Sequence, residues 1–192
     1  MNRRDAISRV SLLLGGTIVG AELFLSGCTN HNKSVGAAGV NFSNDDAAFL
    51  DEVAETILPA TDTPGAKAAK VGEFMTVIVR DCYEEKDQKV FVAGMQTLNE
   101  TCKKQYGKYF LESSPEERHD LLVALDKEQK EYMDKKKEGD PKHYFRLMKE
   151  LTLWGYFTSK PGATQALRYV AVPGRYEGCV PYKKGDKAWA TS

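Results

Sequence analysis

The residues that could bind a metal or a haem are few and lack ligand spacing. The chain contains no Cys-x-x-Cys pair, so neither a compact zinc site nor the Cys-x-x-Cys-His motif of covalent haem is present. The three histidines lie far apart in the sequence: His31, His119 and His143. We therefore predict no metal-ligating residue in this chain.

The motifs that position a nucleophile or cradle a phosphate are also absent. The sequence has no Gly-x-Gly-x-x-Gly fingerprint, no P-loop, no Gly-x-Ser-x-Gly elbow and no His-Glu-x-x-His helix. Adjacent carboxylates stand where helices are predicted to start, as at Asp45 and Asp46, and the positive end of the helix dipole accounts for them. We predict no catalytic and no cofactor-binding residue, and no enzymatic activity of the chain alone.

One cysteine stands in a context that predicts a covalent modification. Leu25-Ser26-Gly27-Cys28 is similar to the bacterial lipobox, in which the thiol is acylated and the chain is cut just before it. The preceding apolar run, residues 10–25, is shorter than the ~20 residues of a membrane-spanning helix. The pair Arg3 and Arg4 before this run indicates twin-arginine export. An ordinary basic signal peptide that ends next to a cysteine is the alternative.

These features predict three parts of the chain and a location. We expect an export signal at residues 1–27, a flexible lipid-anchored tether at 28–42 and a folded domain at 43–192. The tether is rich in Asn, Gly, Ala and Ser, which have little to bury. The mature protein is expected on the periplasmic side of a bacterial membrane, anchored through Cys28.

The charge balance argues against a nucleic-acid partner. The chain has 27 basic and 27 acidic residues. The signal holds Arg3, Arg4 and Arg9 against Asp5 and Glu22, so 24 basic and 25 acidic residues remain after its removal. A near-neutral domain has no basic excess with which to neutralise a phosphate backbone.

Apolar periodicity predicts an all-α fold: a helical bundle of about five helices with a long irregular C-terminal arm. Two helix starts carry capping signals, Ser43 with Asp46 and Ser114 with Glu117. The fifth helix is expected to start near Pro141. The apolar stripes expected in the core are Phe49, Leu50, Val53 and Ile57; Val71, Phe74, Met75, Ile78, Val79 and Cys82; Phe91, Met95, Leu98 and Cys102; Leu121, Leu122 and Leu125; and Tyr144, Phe145, Met148, Leu151 and Trp154.

The three cysteines beyond Cys28 allow one disulfide in an oxidising compartment. Cys82 precedes the third predicted helix and Cys102 lies far along it, which separates them by about 25 Å at ~1.5 Å per residue. A disulfide tolerates only ~4.4–6.8 Å between Cα atoms. We predict a Cys82–Cys179 bridge, with Cys102–Cys179 as the second choice and three free thiols as the third.

The segment that begins at Gly155 differs from the rest, because helical periodicity gives way to aromatic residues and glycines. Long loops in compact domains are usually functional or disordered, and the aromatic content argues against disorder. Tyr, Trp and Arg are enriched at interface hot spots. We predict that this arm contacts a partner; an arm wrapped on its own helices is the alternative, and both can hold together.

Three separated stretches resemble the small-subunit family of gluconate 2-dehydrogenase, also called subunit 3. They are residues 54–66 (AETILPATDTPGA), residues 150–159 (ELTLWGYFTS), and residues 162–179, which include GATQALRY, PGRY and a final Gly-Cys. The resemblance covers the chain from about Asp45 to Trp189.

The resemblance implies a non-catalytic subunit. Its partner would be a large flavoprotein of the glucose–methanol–choline type, which binds FAD and oxidises a sugar or sugar acid. A multihaem cytochrome c can be a third component. The small subunit in that family often carries the export signal for the folded pair, which fits Arg3 and Arg4. The lipobox at Cys28 implies that this chain also anchors its partner, and no cofactor is expected in the chain itself.

The resemblance and the composition of the arm together predict the partner interface. Its predicted residues are Phe157, Thr158, Gly162, Thr164, Gln165, Arg168, Tyr169, Pro173, Gly174, Arg175 and Tyr176. One alternative is a stand-alone carbohydrate-binding lipoprotein, since exposed Tyr and Trp rings can stack on sugars. The other is an enzyme that uses Asp62, Arg175 or Cys179 in an unrecognised arrangement.

Overall fold

The structure is a computed structural model that describes residues 40–172, 174–175 and 178–190. No β-strand occurs in these ranges, and the predicted all-α fold of about five helices is confirmed. A 3₁₀ turn, Phe110–Glu112, precedes the fourth helix, and a π-helical turn, Gly162–Ala166, follows the fifth. The helices are α1 (Asn44–Ile57), α2 (Val71–Cys82), α3 (Glu85–Tyr106), α4 (Pro115–Lys135) and α5 (Tyr144–Thr158).

Both predicted capping boxes are present. The Ser43 hydroxyl accepts from the Asp46 N–H at 3.2 Å, and the Asp46 carboxylate accepts from the Ser43 N–H at 2.8 Å. Ser114 and Glu117 make the same reciprocal pair at the start of α4, with Pro115 in the first turn. Each box satisfies backbone donors that have no partner within the helix.

The helix α5 is the centre of the bundle, because it packs against each of the other four α-helices. Its buried residues join those of α1 to α4 in one hydrophobic core. The predicted apolar stripes are confirmed as buried or partly buried, with two exceptions. Cys82 and Trp154 are exposed, and the Trp154 side chain is 51% accessible.

The fifth helix starts three residues later than expected. Its first residue is Tyr144 rather than Pro141, because His143 acts as the N-cap. The Nδ1 atom of the buried His143 accepts from the Phe145 N–H at 3.2 Å. The imidazole takes the place that a Ser or Asp side chain usually has, which is why the usual capping signal is missing from the sequence.

Two polar contacts between elements fix the position of α1. The Asp51 carboxylate accepts from the Gly72 N–H at 2.7 Å and so caps α2, whose own N-cap residue Lys70 makes no side-chain capping hydrogen bond. The Arg118 guanidinium bonds Glu52 at 2.6 Å and donates to the Phe110 carbonyl at 2.8 Å. Charge-assisted hydrogen bonds of this kind tie α4 and the 3₁₀ turn to α1.

The C-terminal arm is irregular, as predicted, but it starts later than expected. Residues 155–158 belong to α5, and the π-helical turn follows them. Further along, the arm folds back: the Arg168 N–H donates to the Ala188 carbonyl at 2.8 Å, and the Ala190 N–H donates to the Arg168 carbonyl at 2.9 Å. The two bonds form an isolated bridge between Arg168 and Trp189.

The predicted Cys82–Cys179 disulfide is absent from the structure. Cys82, Cys102 and Cys179 are all free thiols, which was the third choice. Cys102 is fully buried in α3, and its Sγ lies 3.2 Å from the Ser113 hydroxyl oxygen. Cys82 and Cys179 are exposed on different elements, and no covalent bond joins them.

Several predicted features lie outside the described residues: the export signal with Arg3 and Arg4, the lipidation site Cys28, and the interface residues Pro173 and Tyr176. Within the described part, the helices are too short or too polar to cross a bilayer.

Candidate interaction surface

One acidic side chain holds the loop between α1 and α2 in shape by accepting two backbone hydrogen bonds. The Glu55 carboxylate accepts from the Ala60 N–H at 2.9 Å and from the Lys67 N–H at 2.8 Å. The Ala66 N–H donates to the Leu58 carbonyl at 3.0 Å, which brings the two ends of the loop together. The first of the three family-like stretches, residues 54–66, therefore consists of the last turn of α1 and a closed loop.

The second motif holds this loop against α5. The hydroxyl of Tyr156 donates to the Pro64 carbonyl at 2.7 Å and lies 3.4 Å from the Thr63 hydroxyl. The Tyr156 ring is buried, and its hydrogen bond to Pro64 is partly shielded from water. Loop 58–66 thus docks on the C-terminal half of α5.

The third stretch, which begins at Gly162, packs against Tyr156 as well. A Cβ atom on the buried Gly162 would lie 1.9 Å from the Tyr156 carbonyl oxygen, so only glycine allows this approach. The Ser159 hydroxyl donates to the Tyr156 carbonyl at 2.6 Å and accepts from the Gly162 N–H at 3.1 Å. All three motifs therefore meet around Tyr156, and this junction sets where the arm leaves the bundle.

Most of the predicted interface residues that the structure describes lie on the surface. Phe157 and Thr158 are exposed on the last turn of α5, and Arg168 and Tyr169 are exposed just after the π-helical turn. Gly162 is buried, and its part is to shape the junction. The other exposed members of the predicted set are Thr164, Gln165, Gly174 and Arg175.

The arm forms an open groove of about 470 Å³ beside these residues. Arg168 lies on one wall, with its guanidinium carbon 4.2 Å from the centre of the Trp189 ring. The Lys187 ammonium binds the Gln165 carbonyl and so holds the returning segment of the arm near the π-helical turn. Stacking of Arg on Trp is a cation–π contact that orients both side chains.

A second apolar surface lies next to the junction, and two of its residues, Phe74 and Trp154, are predicted for the core by their periodicity. Trp154 stands on the exposed side of α5 and meets Phe74 of α2 edge to face, with ring centroids 5.3 Å apart. Leu153 and Phe157 are exposed on the same side of α5, and Val77 is exposed on α2. A signal for this surface was available in the sequence, because residues 153, 154 and 157 repeat with helical spacing.

Two carboxylates whose pKa values are lowered by ion pairs, Asp126 and Glu52, connect helices of the bundle. Burial opposes ionisation of Asp126, but hydrogen bonds from Lys149 and Lys130 outweigh it and lower the pKa of Asp126 to about 2. Burial likewise opposes ionisation of Glu52, and its bonds to Lys67 and Arg118 lower the pKa below the usual value. In the described part of the chain, no three His, Cys, Asp or Glu side chains cluster as metal ligands would.

The family comparison matches the part of the chain that contains this junction. A family model described as gluconate 2-dehydrogenase subunit 3 matches residues 44–174. The match starts at the first residue of α1, includes all five α-helices, and ends in the arm, so it spans more than half of the 192 residues. No curated protein and no solved structure matches the chain.

Proposed function

The chain belongs to the gluconate 2-dehydrogenase subunit 3 family, and on that premise we propose that it is the small, non-catalytic subunit of a membrane-associated dehydrogenase. Its partner subunit, of the glucose–methanol–choline type, binds FAD and oxidises a sugar or sugar acid. The observation that carries this proposal is the family match over residues 44–174.

The small subunit has three tasks in this proposal: it escorts, anchors and stabilises the flavoprotein. Arg3 and Arg4 supply the export signal for the folded pair, and the acylated Cys28 holds the pair on the periplasmic side of the membrane. Twin-arginine export carries folded proteins, so a partner that lacks its own signal can cross together with this chain. A multihaem cytochrome c would be a further component that accepts electrons from the flavin.

The exposed residues around the junction support a protein-binding role. Phe157, Arg168 and Tyr169 are exposed. Arg and Tyr are residue types enriched at interface hot spots. The three residues adjoin the junction, in which Tyr156 bonds the loop and Gly162 packs on the Tyr156 backbone. A preorganised surface loses little conformational entropy when a partner binds.

Purification of the native protein from detergent-extracted membranes tests the proposal. We expect a large flavoprotein to co-purify, with the absorbance spectrum of oxidised FAD and dehydrogenase activity towards a sugar or sugar acid in a dye-reduction assay. A Cys28→Ala variant should release the activity from the membrane fraction. A colourless protein that purifies alone would contradict the proposal.

The exposed aromatic residues of the arm favour a second candidate, a stand-alone carbohydrate-binding lipoprotein. Tyr169 and Tyr182 are exposed near the open groove, and Tyr182 is 77% accessible. Sugar binding by the isolated chain, measured by calorimetry, together with the absence of a co-purifying flavoprotein, would support this candidate instead.

A further inference from the structure

The exposed side of α5 carries a second apolar stripe opposite its buried one. Leu153, Trp154 and Phe157 are 39%, 51% and 38% accessible, although they belong to the central helix of the bundle. Val77 of α2 is 45% accessible, and Phe74 is partly buried beside Trp154. We call these five residues the aromatic ridge. When a helix is apolar on two sides, we expect both sides to be buried against protein or another apolar surface.

The ridge is rigid. The Trp154 and Phe74 rings stand at 90° with centroids 5.3 Å apart, an edge-to-face pair. A Cβ atom on Gly155 would lie 2.6 Å from the Phe74 ring, so the glycine lets Phe74 nest against α5. An exposed Trp that is already held in one orientation has the properties of an interface hot spot.

Several charged side chains near the ridge form ion pairs within their own helix. Lys70 binds Glu73 at 3.1 Å, and Arg80 binds Asp81 at 2.7 Å, on the α2 side. On α5, the Arg146 guanidinium binds Glu150 at 2.7 Å, and Glu150 lies one turn before Leu153. Attachment to an anionic lipid surface draws on an excess of Lys and Arg. An apolar centre with a polar rim that contains paired charges is instead the usual composition of a protein–protein interface.

The position of the ridge in the chain points to the partner that the family shares. All five ridge residues lie within residues 44–174, whereas Tyr182 and Trp189 of the arm lie beyond the family match. A surface that serves a subunit of this family belongs to the matched part. The ridge also adjoins the junction, because Phe157 follows Tyr156 directly and the two rings meet at 5.2 Å.

We propose that the aromatic ridge is the centre of the surface that docks on the flavoprotein subunit, and that the arm contributes its edge. This inference rests on the proposed function, which supplies the partner. It moves the main contact from the arm, where the composition and the family resemblance together place it, to α2 and α5.

Two substitutions in the full-length protein, expressed in its own host, test the ridge. Val77→Glu places a charge at its α2 side, and Trp154→Ala removes its largest side chain. Val123→Glu is the matched control, since Val123 is 42% accessible on α4, outside the ridge. Each variant is purified from detergent-extracted membranes, and the flavin absorbance is measured per mole of this chain. Thermal unfolding followed by circular dichroism shows whether each variant is folded.

We expect both ridge variants to retain at least tenfold less flavoprotein than the wild type, with the Val123→Glu variant unchanged. Wild-type levels of flavin in folded Val77→Glu and Trp154→Ala proteins would overturn the ridge and leave the proposed function intact. If the wild type itself carries no flavin, the proposed function fails. If the ridge variants retain flavin but lose a homodimer, the ridge binds a second copy of the chain. If they retain flavin but lose binding to anionic vesicles, the ridge binds lipid. Either result would overturn the inference.

Discussion

The hydroxyl of Tyr156 donates a hydrogen bond of 2.7 Å to the carbonyl of Pro64, which lies 92 residues earlier in the chain. This bond joins the loop between α1 and α2 to the C-terminal half of α5. The arm leaves α5 through Gly162, four residues after Thr158, and this glycine packs on the Tyr156 backbone. Tyr156 therefore positions both the loop and the arm.

Removal of the hydroxyl should weaken this junction. In a Tyr156→Phe variant, the Pro64 carbonyl loses its side-chain donor while the ring still fills the core. We expect the free energy of unfolding to fall by about 1 kcal/mol, and Tm by a few degrees. Urea unfolding measures the change, and Tyr169→Phe is the control because Tyr169 is exposed. Equal stability of the two variants would show that the bond contributes nothing.

A methyl group at Gly162 should be more damaging. The Cβ of a Gly162→Ala variant would clash with the Tyr156 carbonyl oxygen, which belongs to the backbone and cannot rotate away. Overpacking of this kind destabilises by roughly 1–3 kcal/mol. Thermal unfolding should show a lower Tm than for Thr164→Ala, a substitution at an exposed position in the same turn. A Tm equal to that of the control would contradict the close approach.

Acid should remove a stabilising contribution of Asp126. Its pKa is about 2 in the folded protein and near 3.8 when unfolded, so the carboxylate stabilises the fold above pH 4, and this stabilisation is lost as the pH falls towards 2. Because solvent screens the exposed Lys130, the contribution of the Asp126 carboxylate to the free energy of unfolding is on the order of 1 kcal/mol. The stability difference between wild type and Asp126→Asn, measured by urea unfolding, should therefore be positive at pH 6 and vanish near pH 2. A difference that does not depend on pH would contradict the ion pair.

Thiol labelling distinguishes the three cysteines. Cys82 and Cys179 are exposed, so iodoacetamide should alkylate both in the native protein. Cys102 is fully buried and should react only after denaturation. Peptide mapping without a reductant checks both statements. A peptide that joins Cys82 to Cys179 would restore the bridge predicted from the sequence.

The arm should modulate partner binding. Arg168→Ala removes the guanidinium that stacks on Trp189, and Tyr169→Ala removes an exposed ring next to it. We expect both variants to retain less flavoprotein than the wild type, but more than the ridge variants, because they lie at the edge of the proposed interface. Flavin absorbance per mole of the purified chain is the measurement. Full retention by both variants would exclude the arm from the interface.

The helices of this protein are encoded locally, which is why the sequence predicts them well. The capping boxes at Ser43 and Ser114 join residues only three positions apart, and each apolar stripe repeats within one helix. The start of α5 was missed because His143 provides an unusual cap. The exposed position of Arg168 and Tyr169 agrees with the surface role that their residue types suggested.

The tertiary structure decided which apolar residues face the core and which backbone groups meet across the chain. Trp154 fits the spacing of the buried stripe, yet it is exposed, because α5 has apolar residues on two sides and packing against four helices chooses between them. The Asp51–Gly72 cap and the Tyr156–Pro64 bond depend on which helix faces come together. The sequence by itself thus determined the helices and the family resemblance. The junction and the aromatic ridge follow only from long-range packing, because periodicity along one helix contains no information about its neighbours.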